Sequence, residues 1–184
     1  MLNQILPFDG QITLFLSSIL PRNKLIFDFF SFFSLTGSSI LIWAVISVII
    51  LIIEEKKNPG ISKKDEFFMI IFTLSILSTV LIVELPLKYF FRRPRPSNHP
   101  MAYSCPKSYS FPSGHSATAF TAATVLSFFD KKRKWLYYSI ASLIAYSRIY
   151  LGCHYFFDVV LGATLGIVVS RSTILLASLI VVKK

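Results

Sequence analysis

Residues 29–53 run for 25 positions without a charged side chain. As a helix this stretch is about 37 Å long, enough to cross a hydrocarbon layer of about 30 Å. The composition points the same way. Hydrophobic residues make up 54% of the 184, Phe occurs 18 times, and charged residues are only 15%. A soluble domain of this size needs more polar surface around its core, and a disordered chain carries far less apolar surface. The expected fold class is all-α and integral to a membrane, in a single domain over residues 1–184.

Further apolar runs predict a bundle of about five transmembrane helices, near residues 29–53, 67–87, 112–129, 135–152 and 155–175. The third reaches span length only if Pro112 and Ser113 supply its first turn, where the missing proline N–H costs nothing. In the fifth, Arg171 falls roughly 26 Å from a helix start near His154, close to the opposite boundary, where its head can snorkel. Residues 172–182 then continue along or beyond the interface. Gly162 and Gly166 form a GxxxG spacing that lets a neighbouring helix approach closely. Residues 1–24 read as a short interfacial helix, because Pro7, Asp9, Gly10 and Pro21 interrupt the apolar positions. No basic segment precedes that run, as a cleaved signal peptide would require.

The formal net charge of +10 comes from 19 Lys and Arg against nine acidic residues. These cations sit almost entirely between the apolar runs, as in loops flanking membrane spans, and there is no zinc-finger spacing, RNA signature or basic helix. The partners expected are the lipid bilayer and a lipid substrate, and no nucleic acid. Lys56, Lys57, Lys63, Lys64, the 131–134 cluster, Lys183 and Lys184 fall on one side, which the positive-inside rule makes cytoplasmic. The 88–115 loop then faces the outer, periplasmic side of the cell membrane. Cys105 and Cys153 both fall on that side, where an oxidising compartment permits a disulfide; two free thiols are the favoured reading, since nothing in the sequence sets their distance. Tyr103, Tyr109, Tyr150 and Tyr155 read as an interfacial aromatic belt.

On the outer side three short segments hold nearly every residue capable of polar catalysis. Lys88 and Arg95 lie in the first, Ser113-Gly114-His115 in the second, and Arg148, His154 and Asp158 in the third. Three cations at one membrane boundary repel each other unless an anion lies between them. Arginine forks match tetrahedral oxyanions, and Ser113 and Gly114 at a helix N-terminus offer free N–H groups to a phosphate. His154 and Asp158 are i, i+4, so on a helix the carboxylate can hold one ring nitrogen as N–H and leave the other free as a nucleophile. His115 can protonate a departing oxygen. No acidic cluster is available for Mg²⁺ or Zn²⁺, so neither metal nor cofactor is expected. Glu84, four residues before Lys88, reads as its local ion-pair partner; Arg92, Arg93 and Lys107 fit lipid headgroups at least as well as a phosphate funnel, and His99 reads as structural.

These segments match the patterns KxxxxxxRP, PSGH and SRxxxxxHxxxD over roughly residues 29–171, and in this the chain resembles the type 2 phosphatidic acid phosphatase superfamily. The resemblance implies that His154 attacks phosphorus to give a phosphohistidine, oriented by Asp158. It implies His115 as general acid, and Lys88, Arg95, Arg148, Ser113 and Gly114 as the phosphate-binding set, without a metal. The activity expected is hydrolysis of a lipid phosphate or diphosphate ester. Undecaprenyl diphosphate is the favoured substrate, with phosphatidylglycerol phosphate, phosphatidic acid and lipid A phosphate as rivals. A non-catalytic lipid-phosphate binding or transport protein is the alternative of another class; it would need the cradle but not the His154–Asp158 pair.

Overall fold

The computed structural model describes residues 2–34, 38–57, 60, 62–96 and 105–182. All regular structure among them is helical: α1 (Leu2–Ser18), α2 (Lys24–Ser34), α3 (Ser38–Lys57), α4 (Lys63–Ile82), α5 (Lys88–Phe91), α6 (Gly114–Phe129), α7 (Lys134–Tyr150) and α8 (Phe156–Val182). Ser62 starts α4 with a capping box, exchanging hydrogen bonds with Asp65. A π turn at Val83–Leu87, with Pro86 inside it, passes α4 into α5, so that Lys63–Phe91 forms one helix of 29 residues. Proline removes a ladder N–H, and π turns of this kind recur at functional sites.

The hub is α6, which packs on α8, α7, α4 and α3. Its buried positions are mostly Ala, Thr and Ser, among them Ala119, Thr121, Ala122 and Ala123. Small side chains bring backbones together where burial of large apolar groups offers no advantage over lipid. The tightest packing is with α8: a Cβ added at Gly162 would lie 2.6 Å from the Ser113 carbonyl oxygen, and one at Gly166 would collide with the Ala117 carbonyl. The GxxxG face is therefore used against the first two turns of α6. Thr121 reinforces it, pairing with the Thr79 hydroxyl of α4 at 2.9 Å and with the Gly166 carbonyl at 3.2 Å. Outward surfaces are apolar, as with Leu175, Leu176 and Ile180 on α8 and Leu41, Val48 and Ile52 on α3. Such continuous exposed apolar surface suits lipid rather than water.

Several sequence expectations change. The run over 29–53 is shared between two helices, α2 ending at Ser34 and α3 beginning at Ser38. Thr36, Gly37, Ser38 and Ser39 are poor helix formers, and Arg148 takes the carbonyl of Ser34 at 3.0 Å, satisfying the end of α2 from outside. Pro112 is not in the first turn of α6; Ser113 is the N-cap and Gly114 the first helical residue. Residues 172–182 continue α8 as one helix past Arg171. Two stretches, Lys63–Phe91 and Phe156–Ile180, are long and apolar enough by themselves to cross a membrane. α6 and α7 have 16 and 17 residues, and α6 is walled in by its neighbours.

Residues 1–24 also differ from a free interfacial segment. Pro7, Asp9 and Gly10 all lie inside α1, whose buried face is polar (Asp9, Thr13, Ser17) and whose outward face carries Phe8, Leu14 and Phe15. Tyr146 of α7 donates to the Leu16 carbonyl at 2.8 Å, and α1 docks on α7 and α8. Tyr150 leaves the supposed aromatic belt: it is fully buried and donates to the Pro21 carbonyl at 3.0 Å. His99 and Tyr103 lie outside the described residues.

Gly166→Leu should cost about 1–3 kcal/mol through overpacking against α6. The thermal midpoint of the purified protein in detergent measures this, and an unchanged midpoint would exclude the α6–α8 contact.

Candidate active site

The three segments meet at the end of the bundle where α5, α6 and α8 have their termini. Lys88 is buried at the start of α5, and its ammonium is held by the Glu84 carboxylate at 2.7 and 2.9 Å. This is the ion pair expected from the i, i+4 spacing. The same carboxylate stands against Gly114, where an added Cβ would lie 2.8 Å from Glu84 Oε1. Lys88 and the N-terminus of α6 thus flank one small anionic group. Ser113, fully buried, caps α6, and its own N–H donates to the Asp158 carbonyl at 3.0 Å, tying the second segment to the third. His115 follows on the first turn of α6 and is half-buried.

His154 is not helical. It lies in the turn between α7 and α8, and it reaches Asp158 because that residue, in the first turn of α8, folds back over the helix start. Asp158 Oδ2 accepts the Tyr155 N–H at 2.9 Å and lies 3.5 Å from His154 Nδ1. On the other side of the ring, Arg95 Nη1 is 2.9 Å from His154 Nε2. Arginine can only donate, so Nε2 accepts and the proton resides on Nδ1, toward Asp158. The nitrogen aimed into the cluster is the unprotonated one. Burial, then the charges of Arg95, Arg148 and Lys88, hold the imidazole pKa well below its ordinary value of 6.5.

The remaining cations are fixed by backbone. Arg95 donates to the carbonyls of Ser108, Tyr109 and Cys153 at 2.8–3.2 Å. The Ser108 hydroxyl accepts from Arg95 at 3.2 Å and from Lys88 at 3.4 Å, bridging the two motif cations. Arg148 is 1% exposed. Its Nη1 is spent on Ser34, while Nε and Nη2 are buried without an acceptor among the described residues. Buried orphan donors of this kind are uncommon and mark a place for an anion.

The structure adds residues to which the sequence assigned no part in the site. Ser108 and Asp9 belong to no motif. Arg93 is not available to a substrate: it contacts Asp158 Oδ1 and Asp9 Oδ2, each at 2.7 Å, and stacks 4.0 Å from the centroid of the Tyr155 ring. Tyr155 is therefore a packing partner in the site rather than a belt residue. Lys107 is exposed on the loop. Cys105 and Cys153 form a disulfide, with Cα atoms 5.3 Å apart, in place of the two thiols expected. The bridge joins residues 48 apart in sequence and ties Cys105, ahead of α6, to the α7–α8 turn.

Beside the cluster, between α1, α5 and α8, opens a groove of ≈ 990 Å³ lined by Phe8, Phe91, Phe111, Tyr155, Phe157 and Leu161, with Arg92 and Arg93 at one side. Its walls are largely aromatic and it reaches the motif segments at Phe111 and Tyr155.

Residues 68–180 match the PAP2 superfamily. The chain belongs to that family. It is 31% identical over 139 residues to the lipid A 4'-phosphatase of Porphyromonas gingivalis, covering 70% of this chain and 58% of that protein. It is 30% identical over 148 residues to an undecaprenyl-diphosphatase of Sulfolobus acidocaldarius, covering 78% and 67%. The chain thus spans between about half and two thirds of the length of the curated relatives it matches. The crystal structure of Aquifex aeolicus LpxE superposes with a TM-score of 0.65 at 31% identity, over 89% of this chain and 93% of that one.

With the nucleophile role that the resemblance implies for His154, its neutral state puts the acidic limb of kcat/KM, which reports the free protein, below the ordinary imidazole value of 6.5. A pH–rate profile with a lipid phosphate measures it; a limb at or above 6.5 would contradict the assigned environment.

Proposed function

We propose that this chain is a lipid phosphatase working through a phosphohistidine at His154. The observation that carries the reading is the state of that ring: unprotonated Nε2 toward the Arg95 guanidinium, Nδ1–H toward Asp158. In the first step Nε2 attacks the terminal phosphorus, the P–N bond forms and the P–O bond to the leaving group breaks, expelling the lipid alkoxide from a monoester or the lipid monophosphate from a diphosphate. His115 gives its proton to the leaving oxygen. In the second step water attacks phosphorus, returns a proton to His115, and the P–N bond breaks to release phosphate. Asp158 stabilises the positive ring while the phosphoryl group is attached. Arg148 Nε and Nη2, Arg95, Lys88, the Ser113 hydroxyl and the Gly114 N–H take the phosphoryl oxygens, while the Ser113 N–H stays on the Asp158 carbonyl, and charge develops against fixed donors. Phosphate displaces two internal partners on entry: Glu84 from Lys88 and Arg95 from Nε2.

The aromatic groove supports a lipid rather than a soluble ester, since a chain lying in it reaches the cluster from the membrane side. Arg92, exposed at the groove, supplies a further charge suited to a second phosphoryl group. That favours an isoprenoid diphosphate such as undecaprenyl diphosphate over phosphatidylglycerol phosphate, phosphatidic acid or lipid A phosphate. Five transmembrane passes, with the site on the outer face of the cell membrane, complete the reading. The Cys105–Cys153 bridge, one residue from His154, supports that orientation because disulfides persist in oxidising compartments.

Two measurements test these points. Phosphate release in detergent with EDTA present should occur from undecaprenyl diphosphate in preference to the other three lipids, and His154→Ala should abolish it. Preference for a different lipid would replace the substrate, activity in His154→Ala would remove the nucleophile, and loss in EDTA restored by Mg²⁺ would overturn the metal-free cradle. In intact cells, an impermeant maleimide should label the chain only after an impermeant reductant opens the bridge. Labelling confined to inverted vesicles would reverse the topology.

A further inference from the structure

Asp9 lies far from every motif in sequence, yet its carboxylate is fully buried at the reactive end of the bundle. Oδ1 accepts the Phe157 N–H at 3.0 Å, and Oδ2 lies 2.7 Å from Arg93 Nη2, an ion contact too bent for a hydrogen bond. One turn on, Thr13 Oγ1 accepts the Phe156 N–H at 2.9 Å. The first two N–H groups of α8 are thus accepted by side chains of α1, and Asp9 and Thr13 cap that helix from outside. A burial this complete is costly for a carboxylate without a specific partner.

The partner is Arg93, whose other terminal nitrogen holds Asp158 Oδ1 at 2.7 Å. Two carboxylates share one guanidinium, leaving a single net negative charge among Asp9, Arg93 and Asp158. With Arg93 alone against it, Asp158 would be neutralised and would have little left for His154. With Asp9 on the far side, part of the guanidinium charge is drawn away and Asp158 Oδ2 keeps its field on Nδ1.

We propose that Asp9 is a positioning residue for the nucleophile: through Arg93 it balances the charge on Asp158 and fixes that carboxylate toward His154. The inference rests on the phosphatase reading and names a residue of α1 that the reaction depends on without its touching substrate. The ordering is Asp9, Arg93, Asp158, His154, crossing from α1 through the loop after α5 to the start of α8. Ser110 strengthens the second link, since its N–H donates to the Arg93 carbonyl at 2.8 Å.

Asp9→Asn keeps size and an acceptor for Phe157 N–H but removes the charge. In the same detergent assay kcat should fall about 10- to 100-fold, the range seen when a residue orienting a reactive ligand is lost. KM should stay near wild type, because Lys88, Arg95 and Arg148 are untouched. Asp9→Asn/Arg93→Gln again leaves one net negative charge, on Asp158, and should recover part of the lost kcat. Thr13→Val removes the companion cap without a charge; it should lower the thermal midpoint and leave kcat in place. Wild-type kcat in Asp9→Asn, or an equal loss of kcat in Thr13→Val, would overturn the charge role and leave α1 as a helix cap alone. The reading itself is scored separately by His154→Ala: wild-type release that survives in that variant refutes the nucleophile, whereas a normal Asp9→Asn beside a dead His154→Ala refutes only the present inference. No release by the wild type from any lipid would overturn both.

Discussion

Everything at the reactive end depends on how closely α8 lies against the first turns of α6. Gly162 leaves room for the Ser113 backbone, and the Ser113 N–H is bonded to the Asp158 carbonyl. That contact brings a helix N-terminus, with its free N–H groups, beside the start of a second helix that carries Asp158. A methyl group at either glycine would separate them. The long α4–α5 helix then supplies Lys88 from the side, with Glu84 meeting Gly114 across the gap. The three motifs converge because two glycines allow two backbones to meet.

Convergence concentrates positive charge, and the internal carboxylates decide which cations remain for a substrate. Glu84 occupies Lys88, and Asp9 with Asp158 occupies Arg93. Arg148 keeps two buried donors without an acceptor among the described residues. Half-satisfied buried polar groups destabilise a fold, so the arrangement makes sense where a tetrahedral anion completes it. The π turn at Val83–Leu87 belongs to the same economy of geometry: it places Glu84 and Lys88, one turn apart, where both reach the start of α6.

The motif residues were legible in the sequence, since each motif fixes its residues within a dozen positions, and family membership bears out the recognition. What could not be read were contacts between distant segments. Cys105 and Cys153 lie 48 residues apart, and no spacing rule connects them. The polar positions Asp9, Thr13 and Ser17 do recur every four residues on an apolar helix, a signal for a buried polar face that the interruptions by Pro7 and Gly10 obscured. The long uncharged run concealed the boundary between α2 and α3 because apolarity reports lipid contact and says nothing of where a helix stops. α6 was the reverse case: its Ala, Thr and Ser are short of span-like apolarity because they face protein.

On the proposed mechanism, the contact of Arg95 with His154 means that the resting nucleophile is sheathed. A guanidinium gives up a neutral imidazole only for a better acceptor, and a phosphoryl group is one. On that mechanism the ring is bared by the very group it would attack, while electrophiles without negative oxygens find it covered. Inorganic phosphate passes the same test, so each turnover of the proposed reaction would leave behind a molecule able to hold the sheath open against the next lipid.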